Sequence, residues 1–310
     1  MIVAGDRKDT PFVGIIDEVL TNEAPFLAGV ISKQVGRFGP SWLDAFEKDL
    51  SIFFAGDIEG LRIATRGYIR FALGGMLLQK RFDKTKEYEA KTYEQASLEV
   101  YQNEKYMHSL YLPGIYLSHF LWRHHYLQQM FFAERFVPLV KKHGGTRFYD
   151  VGVGTGFYSR ECLRQLPELT GHGFDLSTHS LSYTRKMVDA FGLSNRYEAS
   201  LQDILADPPK EQVPFLINVE VLEHLEDPLG FLKGLYRMLA PGGLGLIAAA
   251  VTAPNADHIY LYHSAKDVVD QVQQAGFNVI EFRDDAAYDP RTPQESVPRN
   301  ALLLVSKGND

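Results

Sequence analysis

Apolar positions along the chain change rhythm once. From about residue 12 to residue 142 they recur at helical spacing, with almost no alternation of the strand kind. Tyr111-Leu112-Pro113-Gly114 predicts a break between two strongly helical stretches, the second covering residues 115–139. His143-Gly144-Gly145-Thr146 combines a helix stop with loop residues. Beyond it, short apolar runs alternate with amphipathic segments, which predicts βαβ units and a parallel sheet. The runs place strands near 147–151, 172–176, 196–200, 214–219 and 243–251, with helices between them and another at about 265–275. Two final strands are expected near 278–282 and 301–306, the first just after Gly276. The expected organisation is an all-helical unit over 1–143, serving as a cap or a dimer interface, and an α/β unit over 144–310.

Composition narrows the class. A chain of 310 residues, 45% hydrophobic, can bury a large core, and its length favours two units. A net charge of −7 argues against broad contact with nucleic acid, which rests on Lys and Arg neutralising phosphates. Cys162 is the single cysteine, so no internal disulfide or cysteine-based zinc cluster can form within one chain. The first nine residues carry charges where a signal peptide has its apolar stretch. No apolar run approaches the roughly 20 residues that span a bilayer. The expected setting is the cytoplasm, without a membrane partner.

Candidate chemistry begins where the first expected strand meets a helix, at Asp150-Val151-Gly152-Val153-Gly154-Thr155-Gly156. Glycines let a ligand lie against the backbone, and a helix N-terminus offers free N–H groups. A dinucleotide fingerprint needs a third glycine three positions beyond Gly154, where Phe157 stands, so the spacing speaks against NAD. Asp150 can accept from an ammonium group, which favours a cofactor bearing an amino acid. Asp175 and Leu176 end the second expected strand, where a carboxylate can take both ribose hydroxyls or simply cap a helix. Gln202, Asp203 and Ile204 follow the third, where an acid can accept from an adenine amino group or sit on a solvated rim. Three such features on one sheet edge agree with ligand binding at the C-terminal ends of strands.

These motifs resemble those of the class I S-adenosylmethionine-dependent methyltransferases over about 147–307. The loop from Asp150 to Gly156 looks like their first motif, Asp175 like the ribose acid, and Gln202-Asp203 like the adenine-side motif. The run Ile217-Asn218-Val219-Glu220-Val221-Leu222-Glu223-His224 looks like the fourth-strand motif beside the reaction centre, and Leu239-Ala240-Pro241-Gly242-Gly243 like the turn entering the fifth strand. The resemblance implies a Rossmann-like seven-stranded sheet whose last strand is antiparallel. It also implies S-adenosylmethionine as cofactor and methyl transfer from its sulfonium, and does not specify the substrate; the leading expectation is an O or N atom of a small molecule. Asn218, Val219 and Glu220 join the expected cofactor-binding set.

His224 is the candidate general base, because its reference pKa lies near working pH; a helix-start histidine bonded to backbone is the plain alternative. Glu220 and Glu223 stand three residues apart beside His224, a spacing that can surround one divalent ion. The same Glu-x-x-Glu-His wording resembles the ubiquinone-pathway O-methyltransferases and small-RNA 2′-O-methyltransferases, which implies metal assistance as an alternative, with His258 or His263 completing the set. A cofactor-binding scaffold that recruits another protein is a third reading. In the helical half, Tyr106, His108, Tyr111, Tyr116, His119, Trp122, His124, His125 and Tyr126 form a ring-rich stretch. By spacing, Tyr116, His119 and Arg123 share one helix face and are the candidate substrate contacts.

Overall fold

The structure, a computed structural model, describes residues 10–290, 292 and 294–309; the charged first nine residues lie outside it. Its N-terminal half is helical, with no strand among the described residues before Arg147. Helices α1 (Pro11–Glu23), α2 (Val30–Phe38), α3 (Pro40–Phe54) and α4 (Ile58–Thr85) are followed by short helices α5 (Tyr93–Ala96) and α6 (Glu104–Tyr106). Then come α7 (Leu112–Leu121), α8 (Arg123–Phe131) and α9 (Val137–His143). Proline opens α1 and α3, where its missing N–H costs nothing, and Asp57 caps α4 by accepting from Gly60 N at 2.8 Å. A Cβ on Gly114 would sit 2.4 Å from the Phe71 ring, so glycine there lets α7 lie close against α4.

The expected break at Tyr111–Gly114 is corrected. Leu112 and Pro113 occupy the first turn of α7, where proline is tolerated, and a π-type turn over Met107–Tyr111 leads straight into them. The chain breaks instead at Trp122, whose extended φ of −99° and ψ of 131° separate α7 from α8.

The C-terminal half carries strands β1 (Arg147–Val151), β2 (Thr170–Asp175), β3 (Tyr197–Leu201), β4 (Val213–Val219), β5 (Leu239–Val251), β6 (Asn278–Ala286) and β7 (Arg299–Ser306). They form one sheet in the order β3-β2-β1-β4-β5-β7-β6, with β7 antiparallel to both neighbours. Helices α10 (Phe157–Gln165), α11 (Thr178–Ala190), α12 (Pro228–Met238) and α13 (Ala265–Gln274) cover it. This is the expected Rossmann-like architecture. One connection departs from expectation: between β3 and β4 the chain makes turns and no helix. Asp203 accepts there from the backbone of Leu205 and Ala206, and Pro208-Pro209 remove two helix donors.

Strand order reverses between β1 and β4, which opens a crevice at their C-terminal ends. The larger apolar core runs without interruption from α1, α3, α4 and α7 onto one face of the sheet, through Phe148, Phe157, Phe215 and Leu246. The helical half shares that core with α10 and α11 and reaches the strands through α8, which packs on β6 and β7. Among the described residues no helix is long and apolar enough to cross a membrane.

Candidate active site

Between β1 and α10 the chain turns through Gly152, Gly154 and Gly156 at φ of +77°, +52° and +73°. A Cβ on Gly152 would press within 2.4 Å of Val221, whereas one on Gly154 would meet nothing within 4 Å, so Gly154 exposes bare backbone to open space. Asp150 beneath the loop is buried and accepts from Ser159 Oγ at 2.6 Å. Burial pushes its carboxyl up to about 7, with Ser159 opposing and Asp175 adding. No cation pairs with it among the described residues, so an ammonium group would fit there.

Asp175 closes β2 and accepts from Gly154 N at 3.1 Å and Ser177 N at 2.8 Å. Gln202 donates through its backbone to Asp175 O at 3.1 Å, which ties the third strand's loop to the same edge. These groups, with Thr155, Leu176, Asp203 and Ile204, line a single cavity of about 1360 Å³. Small-molecule sites hold roughly 300–1,000 Å³, so this volume has room for a cofactor and a second ligand.

On the other side of the crevice β4 ends at Val219. Glu220 adopts φ of +56°, a strained position for a residue with a side chain, and its N–H donates to Ala248 O at 3.0 Å. A 3₁₀ turn over Leu222–His224 follows. Glu223 is fully buried, and neither of its carboxylate oxygens has a partner; Glu220 Oε1 is likewise buried and unpaired. Burial pushes both carboxyls up to about 8, and Glu220 adds to the effect on Glu223. His224 Nδ1 lies 3.1 Å from the Asp257 carbonyl, and His258 Nδ1 lies 2.6 Å from the Ala253 carbonyl. Each imidazole thus has its Nδ1 on a backbone carbonyl, and the Glu220 backbone also bonds the His224 ring. Glu223, His224 and His258 each offer an atom within 4.8 Å of the others, the only such group of ligand type among the described residues. His263 is exposed and stands outside it.

Val219, Glu220 and His224 share the cavity with the glycine-loop edge. Gly156 and Asn218 do not line it: Gly156 is the N-cap of α10, and buried Asn218 donates to Val151 O at 2.9 Å, bracing β1 against β4. From the helical half, Tyr111, His119, Trp122, Arg123, His124 and His125 line the cavity. Tyr116 turns elsewhere. Its hydroxyl donates to Asp49 Oδ1 at 2.6 Å, and Asp49 pairs with fully buried Arg160 of α10. His119 stacks on Phe157 at 4.1 Å, and Arg123 meets exposed Asp289 at 2.8 Å. The expected single face of Tyr116, His119 and Arg123 is divided by the break at Trp122.

Sequence reasoning did not name Tyr93, Tyr101 or Asp257. Tyr93 and Tyr101 reach the cavity from the 86–111 segment, whose local signal is the Thr92–Gln95 capping box. Asp257 carries no local signal, because its partners lie far away in sequence.

A family profile described as "Methyltransferase domain" matches residues 149–244. The chain is 31% identical over 112 residues to the ubiquinone biosynthesis O-methyltransferase of Ruegeria pomeroyi, covering 36% of this chain and 44% of that protein. With the enzyme of the same description from Psychrobacter cryohalolentis, the identity is 25% over 161 residues, covering 51% of this chain and 62% of the relative. The match thus spans less than two thirds of these relatives' own length. Among solved structures, an O-methyltransferase family protein from Burkholderia thailandensis superposes with a TM-score of 0.53 at 15% identity, covering 78% of this chain and 71% of that one. The S-adenosylmethionine-dependent methyltransferase SibL gives 0.52 at 16%, covering 82% and 76%.

Proposed function

We propose that the chain is a class I S-adenosylmethionine-dependent methyltransferase, and that it methylates an O or N atom of a small molecule held between its two halves. One observation carries this reading. A single cavity joins the Asp150–Gly154–Asp175 edge to the Glu220–His224 edge and is roofed by rings of the helical half.

S-adenosylmethionine, when bound, supplies a methyl group on a sulfonium. In this reading Asp150 accepts from its ammonium group, the Gly152–Thr155 backbone cradles the amino-acid end, and Asp175 takes the ribose hydroxyls. Gln202, Asp203 and Ile204 hold the adenine side, Val219 and Glu220 flank the reaction centre, and Asn218 braces the strand below. His224 accepts the acceptor's proton. Residues 1–143 act as the cap, with His119 and Arg123 on the substrate side and Tyr116 anchoring the cap. No nucleic acid takes part, and the cytoplasm is the setting, in keeping with a single cysteine. The exposed side of the cap remains available for a homodimer.

The test is incubation of the pure protein with methyl-labelled S-adenosylmethionine and a fractionated metabolite extract, read by mass spectrometry. A labelled small molecule is the expected result. No label, despite binding of S-adenosylhomocysteine, would overturn the enzyme reading in favour of a binding scaffold.

The unpaired buried oxygens of Glu220 and Glu223 favour a second reading, metal-assisted O-methylation. Two such carboxyls side by side are costly without a cation. Glu220, Glu223, His224 and His258 would hold a divalent ion, whose charge would ease loss of a hydroxyl proton. Chelation followed by dialysis should then abolish labelling, and added Mg²⁺ or Mn²⁺ should restore it. Full labelling after chelation would end this reading.

A further inference from the structure

A base or ligand histidine works only when its ring is held in one orientation and one tautomer. The residue placed to do this for His224 is Asp257, fully buried in the loop after β5. Its backbone carbonyl lies 3.1 Å and its Oδ2 3.3 Å from His224 Nδ1. Both are acceptors, so Nδ1 carries a hydrogen and the ring is held in one orientation.

The Asp257 carboxylate is itself gripped from the other half of the molecule. Tyr101 donates its hydroxyl to Oδ2 at 2.9 Å, and Tyr111 donates to the same oxygen. Each tyrosine is the last residue of a π-type turn, Ser97–Tyr101 and Met107–Tyr111, a geometry often found where function requires a side chain to be re-aimed. The same segment is tied to the sheet edge twice more. Lys91 Nζ donates to Ala256 O at 3.3 Å, and Ser177 Oγ donates to Tyr101 O at 3.3 Å. The side chain that faces Nδ1 comes from far along the chain, as Asp257, fixed by two hydroxyls of the cap.

We propose that Asp257, clamped by Tyr101 and Tyr111, is the positioning residue for His224, so that seating the helical half against the sheet edge completes the reaction centre. The proposal rests on the reading of His224 given above. It adds that the cap contributes to the chemistry through a chain of hydrogen bonds, besides covering the substrate.

The test uses the full-length protein with ¹⁵N-labelled histidines and S-adenosylhomocysteine bound. The His224 ring signals are identified by their loss in His224→Gln. Expected for the parent is one ring state with hydrogen on Nδ1. In Asp257→Asn an amide donor faces Nδ1, so the other tautomer should grow in. In the Tyr101→Phe/Tyr111→Phe double variant, which removes two oxygens and little volume, the ring signals should broaden or split. Labelling of the metabolite extract should fall about 10–100-fold in both, the usual cost of losing such a supporting partner. A lowered melting temperature with unchanged His224 nitrogen signals would overturn the proposal and leave a structural role only. His224→Gln that labels the extract at the parental rate would instead remove His224 from the chemistry, while the nitrogen spectrum would still judge Asp257 separately.

Discussion

The two ends of the cavity are assembled on different length scales. At the glycine-loop end, polar groups settle with near neighbours on adjoining strand ends. Asp175 takes Ser177 N and Gly154 N, and Asp203 takes Leu205 N and Ala206 N. At the His224 end, the groups that matter come from far apart: Asp257 is gripped by Tyr101 and Tyr111, and Ala253 N donates to the Tyr88 hydroxyl at 2.9 Å. The first end is a property of two consecutive βαβ units. The second exists only after both halves have packed, so it responds to changes in either.

This contrast can be tested from its strongest consequence downward. His224→Ala should slow labelling of the extract by about 100–10,000-fold while calorimetric affinity for S-adenosylhomocysteine stays near that of the parent. Equal losses in rate and affinity would mean that the two ends are not separable. Arg160→Ala should destabilise the fold by about 3–5 kcal/mol in a denaturant titration, because it strands buried Asp49 at the seam between α3 and α10. A loss within error would make that seam dispensable. Asp175→Ala should weaken S-adenosylhomocysteine binding by about 1.5–3 kcal/mol, the scale of hydrogen bonds to a charged group. Unchanged affinity would remove Asp175 from the site. Asp203→Ala should cost the least, about 0.5–1.5 kcal/mol, since its Oδ1 already serves the turn that carries it. An Asp203 effect larger than that of Asp175 would reverse the proposed order along the edge.

The same difference in scale explains what could be read in advance. Strand positions, the glycine loop, Asp175 and Asp203 follow from patterns within about 20 residues. The missing helix between β3 and β4 was also written locally, in Asp203 and Pro208-Pro209, yet strand–helix alternation suggested otherwise. The ring-rich stretch was visible as a composition, but its division was not. Tyr116 and His119 lie three residues apart on α7, yet one is drawn to Asp49 and the other lies on Phe157. Helical spacing from His119 to Arg123 assumes an unbroken axis, and Trp122 ends it. Asp257, Tyr101 and Tyr111 were out of reach because nothing near them in the chain marks their meeting.

The core that passes from the helices onto the sheet sets a thermodynamic condition on the whole molecule. Phe46 stacks on Phe120 at 4.5 Å, and Phe120 meets Phe157 edge-on at 6.0 Å, so one row of rings links α3 and α7 to the helix that the glycine loop opens. A fragment cut at residue 143 would leave one side of that row in water and should not hold its fold. Heat should accordingly melt both halves in one calorimetric peak. Free energy gained by mass action at the loop, RT ln(1 + [L]/Kd), then spreads through every element that shares the transition, and α1 should resist exchange of its amide hydrogens more strongly when a ligand binds at Gly154.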